Sequence, residues 1–152
     1  MRCAIEFSAR DVIVRLDGLR AYKSQTSSKA AHFLQYLQKK FPFEIKAIQI
    51  DGGSEFRKHF EEECERREIL LFQIPIRAPK MNGHVERANR THREEFYEVE
   101  EVDLSPEEHN RQLERWEYVY NYIRPHQSLD YLTPHEYYQL WLKDQKNNVS
   151  LM

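Results

Sequence analysis

Two carboxylates stand out because of the residues that surround them. The first, Asp51, follows the apolar run at residues 45–50 and precedes Gly52 and Gly53. In open α/β sheets, ligands gather beyond the carboxyl ends of the strands, so a carboxylate here faces a candidate ligand site. The glycines leave room for the backbone to approach a group such as a phosphate. An Asp-Gly turn explains the same residues, and on spacing alone it is the favoured interpretation.

The second carboxylate, Glu86, lies in a basic segment. Wound as a helix over about residues 83–99, this segment places Glu86 about 100° from a less polar stripe. Salt-bridging to neighbouring arginines is the ordinary role of such a residue, and this interpretation stays open. A functional role requires Glu86 to reach the same point as Asp51 while its basic neighbours hold phosphates. The stripe consists of Val85, Ala88, His92, Phe96 and Val99, and the cations of the segment are Arg77, Lys80, Arg87, Arg90 and Arg93.

The elements that must position these side chains alternate along the chain. Short apolar runs predict strands, and amphipathic segments predict helices. Ser105 and Pro106 form an N-cap and first-turn proline pair that predicts a helix start. The order indicates an α/β domain with a helical C-terminal third. Strands are predicted at residues 4–7, 12–16, 45–50 and 69–74, with a turn at 8–11, and helices after Thr26 or Ser27, from Ser54, and at about 83–99, 106–122 and 134–142.

Composition limits the class of protein further. The chain has 152 residues, is 40% hydrophobic and carries a net charge of -2, which predicts one folded domain with a polar surface. No apolar run approaches the roughly 20 residues that span a bilayer, and no secretory signal is recognisable. Cys3 and Cys64 form neither a zinc motif nor a disulfide framework, which favours a reducing cytoplasm. The net charge is unusual for a nucleic-acid binder, but the local charge at residues 77–93 favours a polyanion.

Several blocks of sequence, in order, resemble one family. They are QIDGGSEF at 49–56, PIRAPK at 75–80, NGHVERANRT at 82–91, YNYIRPHQSL at 120–129 and LTP at 132–134. Together they resemble the integrase catalytic core of bacterial insertion-sequence transposases, from about residue 3 to residue 140. The 34 residues between Asp51 and Glu86 suit the last two acids of that family's Asp-Asp-Glu triad.

The resemblance implies a ribonuclease H-like mixed sheet flanked by helices, and acids that bind two Mg²⁺ or Mn²⁺ ions. Asp51 would bridge both ions and Glu86 would hold one. Water would cut the transposon end, and the freed 3′ hydroxyl would attack target DNA. Arg90 and Arg93 would be candidates for phosphate contacts, and Lys80 and Asn82 for orienting the DNA end.

The sequence departs from this family at its start. The family's first aspartate lies on a strand before the hairpin with which this chain begins, so that strand is expected to be missing. We therefore expect unpaired edges on the hairpin and on the strand at 45–50, and impaired catalysis. On this basis residues 1–142 form a partial core and residues 143–152 a flexible tail. Ile76 and Ala78 stand where the family frequently has proline and serine.

Two functions follow from these expectations. The first is DNA integration and transposition, with transposon ends and target DNA as partners. Whether this chain is an active enzyme stays open. The second is a nucleic-acid-binding or dimerising module that modulates a full-length transposase. Self-association is expected in either case, and a membrane partner is not.

Overall fold

The amino-terminal part of the chain forms an antiparallel hairpin. The computed structural model describes three parts of the chain, residues 4–75, 83–99 and 105–150. Strand β1 spans Ile5–Arg10 and strand β2 spans Asp17–Tyr22. In the register Ile5 lies opposite Tyr22 and Arg10 lies opposite Asp17. Because side chains alternate between the two faces, the odd residues of β1 lie on the opposite face from Glu6, Ser8 and Arg10.

The connection between the two strands differs from the prediction. Residues 12–16 were expected to be a strand, but they belong to the turn. The Oδ2 atom of Asp11 accepts hydrogen bonds from the backbone N–H groups of Ile13 at 3.0 Å and Val14 at 2.7 Å. Arg15 has a φ of 65°, in the left-handed region. A local side-chain turn at Asp11 therefore outweighs the strand propensity of the β-branched residues, and the predicted strand was wrong.

Helix α1 covers one face of the hairpin. It spans Ser27–Lys40, and the Thr26 side chain caps it by accepting a hydrogen bond from the Lys29 N–H. Its apolar residues recur at helical spacing and are buried with Phe7 and Tyr22 of the hairpin. Gly18 lets the helix approach closely, because a Cβ at that position would overlap the Leu37 side chain. The buried residues of α1 are Ala30, Phe33, Leu34 and Leu37.

Two further strands form a parallel pair. Strand β3 spans Ala47–Ile50, helix α2 spans Lys58–Arg66 and strand β4 spans Leu70–Gln73. In the register Ile50 lies opposite Gln73. One face of this pair packs on α1 and α2, but the other faces solvent, with Leu70 63% and Phe72 55% exposed. The prediction that residues 69–74 are buried therefore holds for Ile69 and Ile74 but not for the outward-facing residues.

The four strands form two separate two-stranded sheets. Strand β1 pairs with β2, and β3 pairs with β4. Within the described residues, β1 and β3 thus have a strand partner on one side only. This arrangement matches the unpaired edges expected from the sequence, and backbone groups along such an edge are available to pair with an extended segment.

The remaining helices confirm the helical C-terminal third. Helix α3 spans Gly83–His92 and continues as a π-helical turn at Arg93–Tyr97. Helix α4 spans Pro106–Tyr118, begins at the predicted Ser105 cap and continues as a π-helical turn at Val119–Ile123. Helix α5 spans Pro134–Ser150. It crosses residue 142, and the division of the chain at that residue stays a prediction. Among the described helices, none has the length and apolarity required to cross a lipid bilayer.

Side chains from α4 and the π-helical turn after it close the outer edge of β2. The backbone N–H of Asp17 donates to Asn121 Oδ1 at 2.9 Å, that of Leu19 to Glu117 Oε2 at 2.8 Å, and that of Ala21 to Asn110 Oδ1 at 2.7 Å. Asn121 and Asn110 also donate to the carbonyls of Asp17 and Ala21. The edge of β2 is thereby satisfied without another strand, and α4 is fixed along it. We refer to Asn110, Glu117 and Asn121 as the edge ladder.

Candidate active site

Asp51 lies where the parallel strands end. Its side chain is exposed, and its Oδ1 atom accepts a hydrogen bond from the Gly53 N–H at 3.0 Å. Gly52 has a φ of 87°, a conformation that favours glycine, and a Cβ there would lie 2.5 Å from Gln73 Nε2. The Asp-Gly turn and the exposed carboxylate beyond β3 are therefore both present. The two interpretations do not exclude each other.

Polar residues that the sequence did not single out surround this turn. Gln73 lies opposite Ile50 in the strand register and so ends beside Asp51. The Arg57 guanidinium donates to Gln73 Oε1 at 3.4 Å. Gln25 Nε2 donates to Glu55 Oε1 at 2.8 Å. The position of Gln73 beside Asp51 could have been predicted from the sequence, because parallel strands that end together bring their last residues to one edge of the sheet.

Glu86 lies in the first turn of α3, with its side chain exposed. Arg90 and Arg93 are exposed on the same segment. Within the described residues none of these three side chains makes an ion pair, so the salt-bridged interpretation of Glu86 is not observed. The other two predicted DNA-contacting residues, Lys80 and Asn82, lie outside the described part of the chain. Whether Glu86 and Asp51 converge on one point stays a prediction.

The opposite side of α3 is buried against the hairpin and α4. Ala88, His92 and Phe96 are 3%, 2% and 3% exposed, so three members of the predicted apolar stripe are confirmed. Val99, at 72% exposed, lies outside it. The π-helical turn at Arg93–Tyr97 adds a residue to the helical repeat and breaks the 3.6-residue period on which the prediction rested. The buried face sets which way Glu86 can point.

A buried polar network connects α3 to the hairpin and to α4. Asp17 Oδ1 accepts from Arg10 Nε at 2.7 Å, and Asp17 Oδ2 lies 2.7 Å from His92 Nε2. On the other side of the ring, Trp116 Nε1 donates to His92 Nδ1 at 2.8 Å. An indole N–H can only donate, so Nδ1 is unprotonated and Nε2 carries the proton that is donated to Asp17. We refer to Arg10, Asp17, His92 and Trp116 as the histidine network.

A second buried contact lies further along the same face. The Tyr97 hydroxyl donates to the Glu6 carboxylate and lies 3.1 Å from His109 Nε2. Burial raises the pKa of Glu6, although the hydrogen bond from Tyr97 opposes this shift. Burial, with Glu6 adding to it, also raises the pKa of Tyr97. The contact therefore joins the end of α3 to β1 and α4.

Two buried groups near α4 have shifted pKa values, one raised and one lowered. Burial raises the pKa of Glu117 to about 7, even though Leu19 and Tyr36 donate hydrogen bonds to its carboxylate. Burial, with Arg124 adding to it, lowers the pKa of His126 to about 4. His126 Nε2 lies 3.0 Å from the Tyr120 carbonyl oxygen, which suits a neutral ring that donates from this atom. Both groups are therefore held closer to neutral than in water.

The chemistry of the donors suits a hard divalent cation only in part. Carboxylate oxygens are the ligands that Mg²⁺ and Mn²⁺ prefer, and the exposed side chains of Asp51 and Glu86 supply them. Across residues 4–75, 83–99 and 105–150, however, no group of three His, Cys, Asp or Glu side chains is placed to hold a metal. The described site thus offers two candidate ligands on two elements.

The fold of this chain is similar to that of integrase catalytic cores. It is similar to the catalytic core domain of BIV integrase, with a TM-score of 0.70, 19% sequence identity, and coverage of 96% of this chain and 90% of that chain. It is also similar to a chain of the simian T-cell lymphotropic virus intasome in complex with PP2A regulatory subunit B56 gamma. There the TM-score is 0.69, the identity 17%, and the coverage 81% of this chain and 44% of that chain. At these identities the likeness shows the fold alone, and it confirms the ribonuclease H-like α/β class predicted from the motif blocks.

Sequence comparisons agree with this likeness. Residues 67–134 match the family model described as integrase core domain. The ORF3 integrase of Spiroplasma virus SpV1-C74 is 30% identical over 103 residues, which cover 59% of this chain and 28% of the viral protein. Residues 67–134 are therefore similar to the integrase core domain, in agreement with the resemblance seen in the sequence. The segment that matches the family contains Glu86, Arg90 and Arg93.

Proposed function

We propose that this domain acts in DNA integration or transposition, and that Asp51 and Glu86 bind the divalent cations that such a reaction uses. The observation that carries the proposal is the exposed segment of α3. There Glu86 lies beside Arg90 and Arg93, and none of the three is neutralised by an ion pair within the described residues. An acid beside two arginines, with no ion pair to the part of the chain that the structure describes, suits a surface that meets both cations and phosphates.

Each residue has a distinct part in this proposal. A pair of Mg²⁺ or Mn²⁺ ions, when bound, supplies Lewis-acid stabilisation of the attacking and leaving oxygens of a phosphodiester. Asp51 and Glu86 provide carboxylate oxygens for the ions. Arg90 and Arg93 contact phosphates and so place the DNA strand beside the acids, and Lys80 and Asn82 help to orient the DNA end. Gln73 lies against Gly52, next to Asp51, and accepts a hydrogen bond from Arg57, so both side chains are candidates to contact the same strand.

A second function, in which the domain binds DNA or another transposase chain without cutting, is favoured by one observation. The described residues contain no group of three acids, histidines or cysteines that could hold a metal. On this alternative the arginines of α3 still contact phosphates. The partner is transposon-end or target DNA, a second copy of this chain, or a full-length transposase that is thereby inhibited.

Nicking of a supercoiled plasmid in Mn²⁺ separates the two functions. Metal-dependent nicking that is lost in Asp51→Asn and in Glu86→Gln supports the catalytic function, and Glu98→Gln, an exposed acid at the end of the same segment, serves as a control. Binding without nicking supports the alternative. If the protein neither nicks nor binds, both are wrong.

Binding of a short labelled DNA duplex, measured by fluorescence anisotropy at several salt concentrations, tests the role of the arginines. If Arg90 and Arg93 each neutralise one phosphate, the Arg90→Glu/Arg93→Glu variant reduces the slope of log K against log salt by about 0.9 for each phosphate that is no longer neutralised. The matched control is Arg115→Glu, a charge reversal at an exposed arginine of α4. Equal salt slopes for the two variants would refute the assigned phosphate contacts.

A further inference from the structure

The histidine network joins four elements through one imidazole ring. His92 is 2% exposed and Asp17 is 2% exposed. The ring nitrogens of His92 contact Asp17 of β2 on one side and Trp116 of α4 on the other, and Asp17 in turn accepts two hydrogen bonds from Arg10 of β1. The network therefore ties α3 to both strands of the hairpin and to α4 at a single position.

These hydrogen bonds constrain the rotation of α3 about its axis. A hydrogen bond tolerates only a few tenths of an ångström of lengthening before it weakens. A side-chain atom about 6 Å from a helix axis moves by roughly 2 Å when the helix turns by about 20°. Such a rotation would break the hydrogen bonds to Asp17 and Trp116 together. Apolar packing alone, which is not directional, would not fix the helix so closely.

Glu86 lies on the same helix as the histidine, six residues earlier. Between them, Ala88 is buried and the Asn89 side chain lies 3.3 Å from the Ser8 hydroxyl of β1. The helix is therefore in contact with the hairpin along the interval that separates the two residues. Any change in the orientation of α3 that starts at His92 is carried to Glu86 by the rigid helical backbone.

The geometry points to His92 as a positioning residue for Glu86: held as its Nε2–H tautomer between Asp17 and Trp116, it fixes the direction in which the Glu86 carboxylate leaves α3. This inference rests on the proposed function, in which Glu86 binds a cation. The indole of Trp116 has a specific part, because its N–H excludes a proton from His92 Nδ1. Without that donor the ring is free to take up a second proton, which would add a buried charge and turn or loosen the helix.

The surroundings of the ring contain both signs of charge. Arg10 is a cation, and the other charged groups near the ring are acids. The indole N–H of Trp116, which donates to His92 Nδ1, is the contact that the test removes. The charged and titratable groups that face His92 are Glu6 and Arg10 on β1, Asp17 on β2, Glu95 on the turn after α3, and Tyr120 on the turn after α4.

The test uses the two tryptophans of the chain as a matched pair. Trp116→Phe removes the indole N–H beside His92, whereas Trp141→Phe makes the same change in the core cluster around Val14 and Tyr138. Isotope-labelled protein is titrated between pH 5.5 and 8, and the imidazole nitrogens of His92 and the backbone amide of Glu86 are followed by NMR. Circular dichroism establishes that both variants are folded.

In the unaltered protein and in Trp141→Phe, we expect His92 Nδ1 to stay unprotonated and the Glu86 amide signal to stay constant over this pH range. In Trp116→Phe, we expect both signals to move together with one midpoint. An Nδ1–H tautomer in the unaltered protein, or a Glu86 amide that ignores the His92 titration in the variant, overturns the inference. If Trp116→Phe does not fold, His92→Gln replaces it in the comparison of Glu86 amide signals. Glutamine keeps a donor and an acceptor in the side chain. A Glu86 amide signal that is the same in His92→Gln as in the unaltered protein then overturns the inference.

Mn²⁺ binding separates this inference from the proposed function. If Asp51→Asn and Glu86→Gln leave Mn²⁺ affinity unchanged, the proposed function is wrong, and the NMR result alone decides whether His92 orients α3. If those variants do lose affinity, Trp116→Phe is expected to weaken Mn²⁺ binding by about threefold or more. Trp141→Phe is expected to leave it unchanged. Equal affinities of the two tryptophan variants would overturn the link between His92 and the cation site.

Discussion

Replacing Glu117 by glutamine is expected to change how the stability of the domain depends on pH. Glu117 is 6% exposed and belongs to the edge ladder, and burial raises its pKa from 4.5 to about 7. The folded state therefore binds this proton more tightly than the unfolded chain does. The resulting stabilisation is fully present below about pH 4.5 and is lost as the pH rises through about 7.

His126 acts in the opposite direction over nearly the same range. Its pKa falls from 6.5 to about 4 on folding, so the stabilisation from its neutral ring is fully present above about pH 6.5 and is lost as the pH falls through about 4. A shift of one pKa unit corresponds to 1.36 kcal/mol, so each group contributes roughly 3 kcal/mol. The two dependences largely cancel between about pH 4.5 and 6.5.

Urea unfolding at pH 4.5, 5.5, 6.5 and 7.5 measures the effect as a free energy of unfolding. Glutamine at position 117 keeps an oxygen that accepts the Leu19 N–H but does not titrate. Relative to the unaltered protein, Glu117→Gln should gain roughly 3 kcal/mol of stability between pH 4.5 and 7.5, because the variant lacks the stabilisation that protonated Glu117 gives at low pH and that the unaltered protein loses over this range. The contributions of other groups are common to both proteins and cancel in the difference.

The control is Glu114→Gln, which removes an acid from the same helix at a side chain that is 48% exposed. We expect its curve to run parallel to that of the unaltered protein, because exposed ion pairs such as those of Glu114 contribute little to stability. If the Glu117→Gln curve also runs parallel, Glu117 does not carry its proton into the folded state. Burial in the edge ladder would then not raise the pKa of this carboxyl group, and the reasoning would be refuted.

Three further outcomes are expected. Asp17→Asn should destabilise the domain by roughly 3 kcal/mol or more in urea unfolding, since it removes the buried negative charge that pairs with the Arg10 guanidinium, and a cost below about 1 kcal/mol would contradict this. Leu113→Ala should cost about 3 kcal/mol by the same measurement, because Leu113 is 0% exposed; a small cost would mean that its cluster collapses around the gap. Made alone, the chain should be poorly soluble or oligomeric in size-exclusion chromatography with light scattering, and a sharp monomeric peak with cooperative melting would speak against this.

The sequence predicted those parts of the fold that depend on local pattern. Apolar residues at helical spacing placed α1 correctly, and the Thr26 and Ser105 caps mark helix starts in the structure. The blocks of sequence around Asp51 and Glu86 were sufficient to predict the class of fold. These features depend on residues close together in the chain, where a pattern carries its information directly.

Features that depend on particular hydrogen-bond partners were not predicted. Residues 12–16 were mistaken for a strand because the hydrogen bonds of Asp11 compete with β-branched propensity, and periodicity does not report that competition. The histidine network joins residues 75 positions apart, and the sequence pattern around His92 indicated no role for it. The role of a polar residue on an apolar stripe can be assigned only when its hydrogen-bond partners are known.

The two edges of the hairpin differ in whether side chains satisfy their backbone groups. The outer edge of β2 is satisfied by the edge ladder, so no strand can pair there unless three side chains of α4 and the turn after it are displaced. Strand β1 has no such ladder within the described residues, and β3 likewise pairs with a strand on one side only. Association through strand pairing should therefore use the edges of β1 and β3 and leave α4 in place. Because α4 also carries Trp116, the histidine network can persist while the domain pairs with another chain, and the orientation of Glu86 would not depend on that pairing.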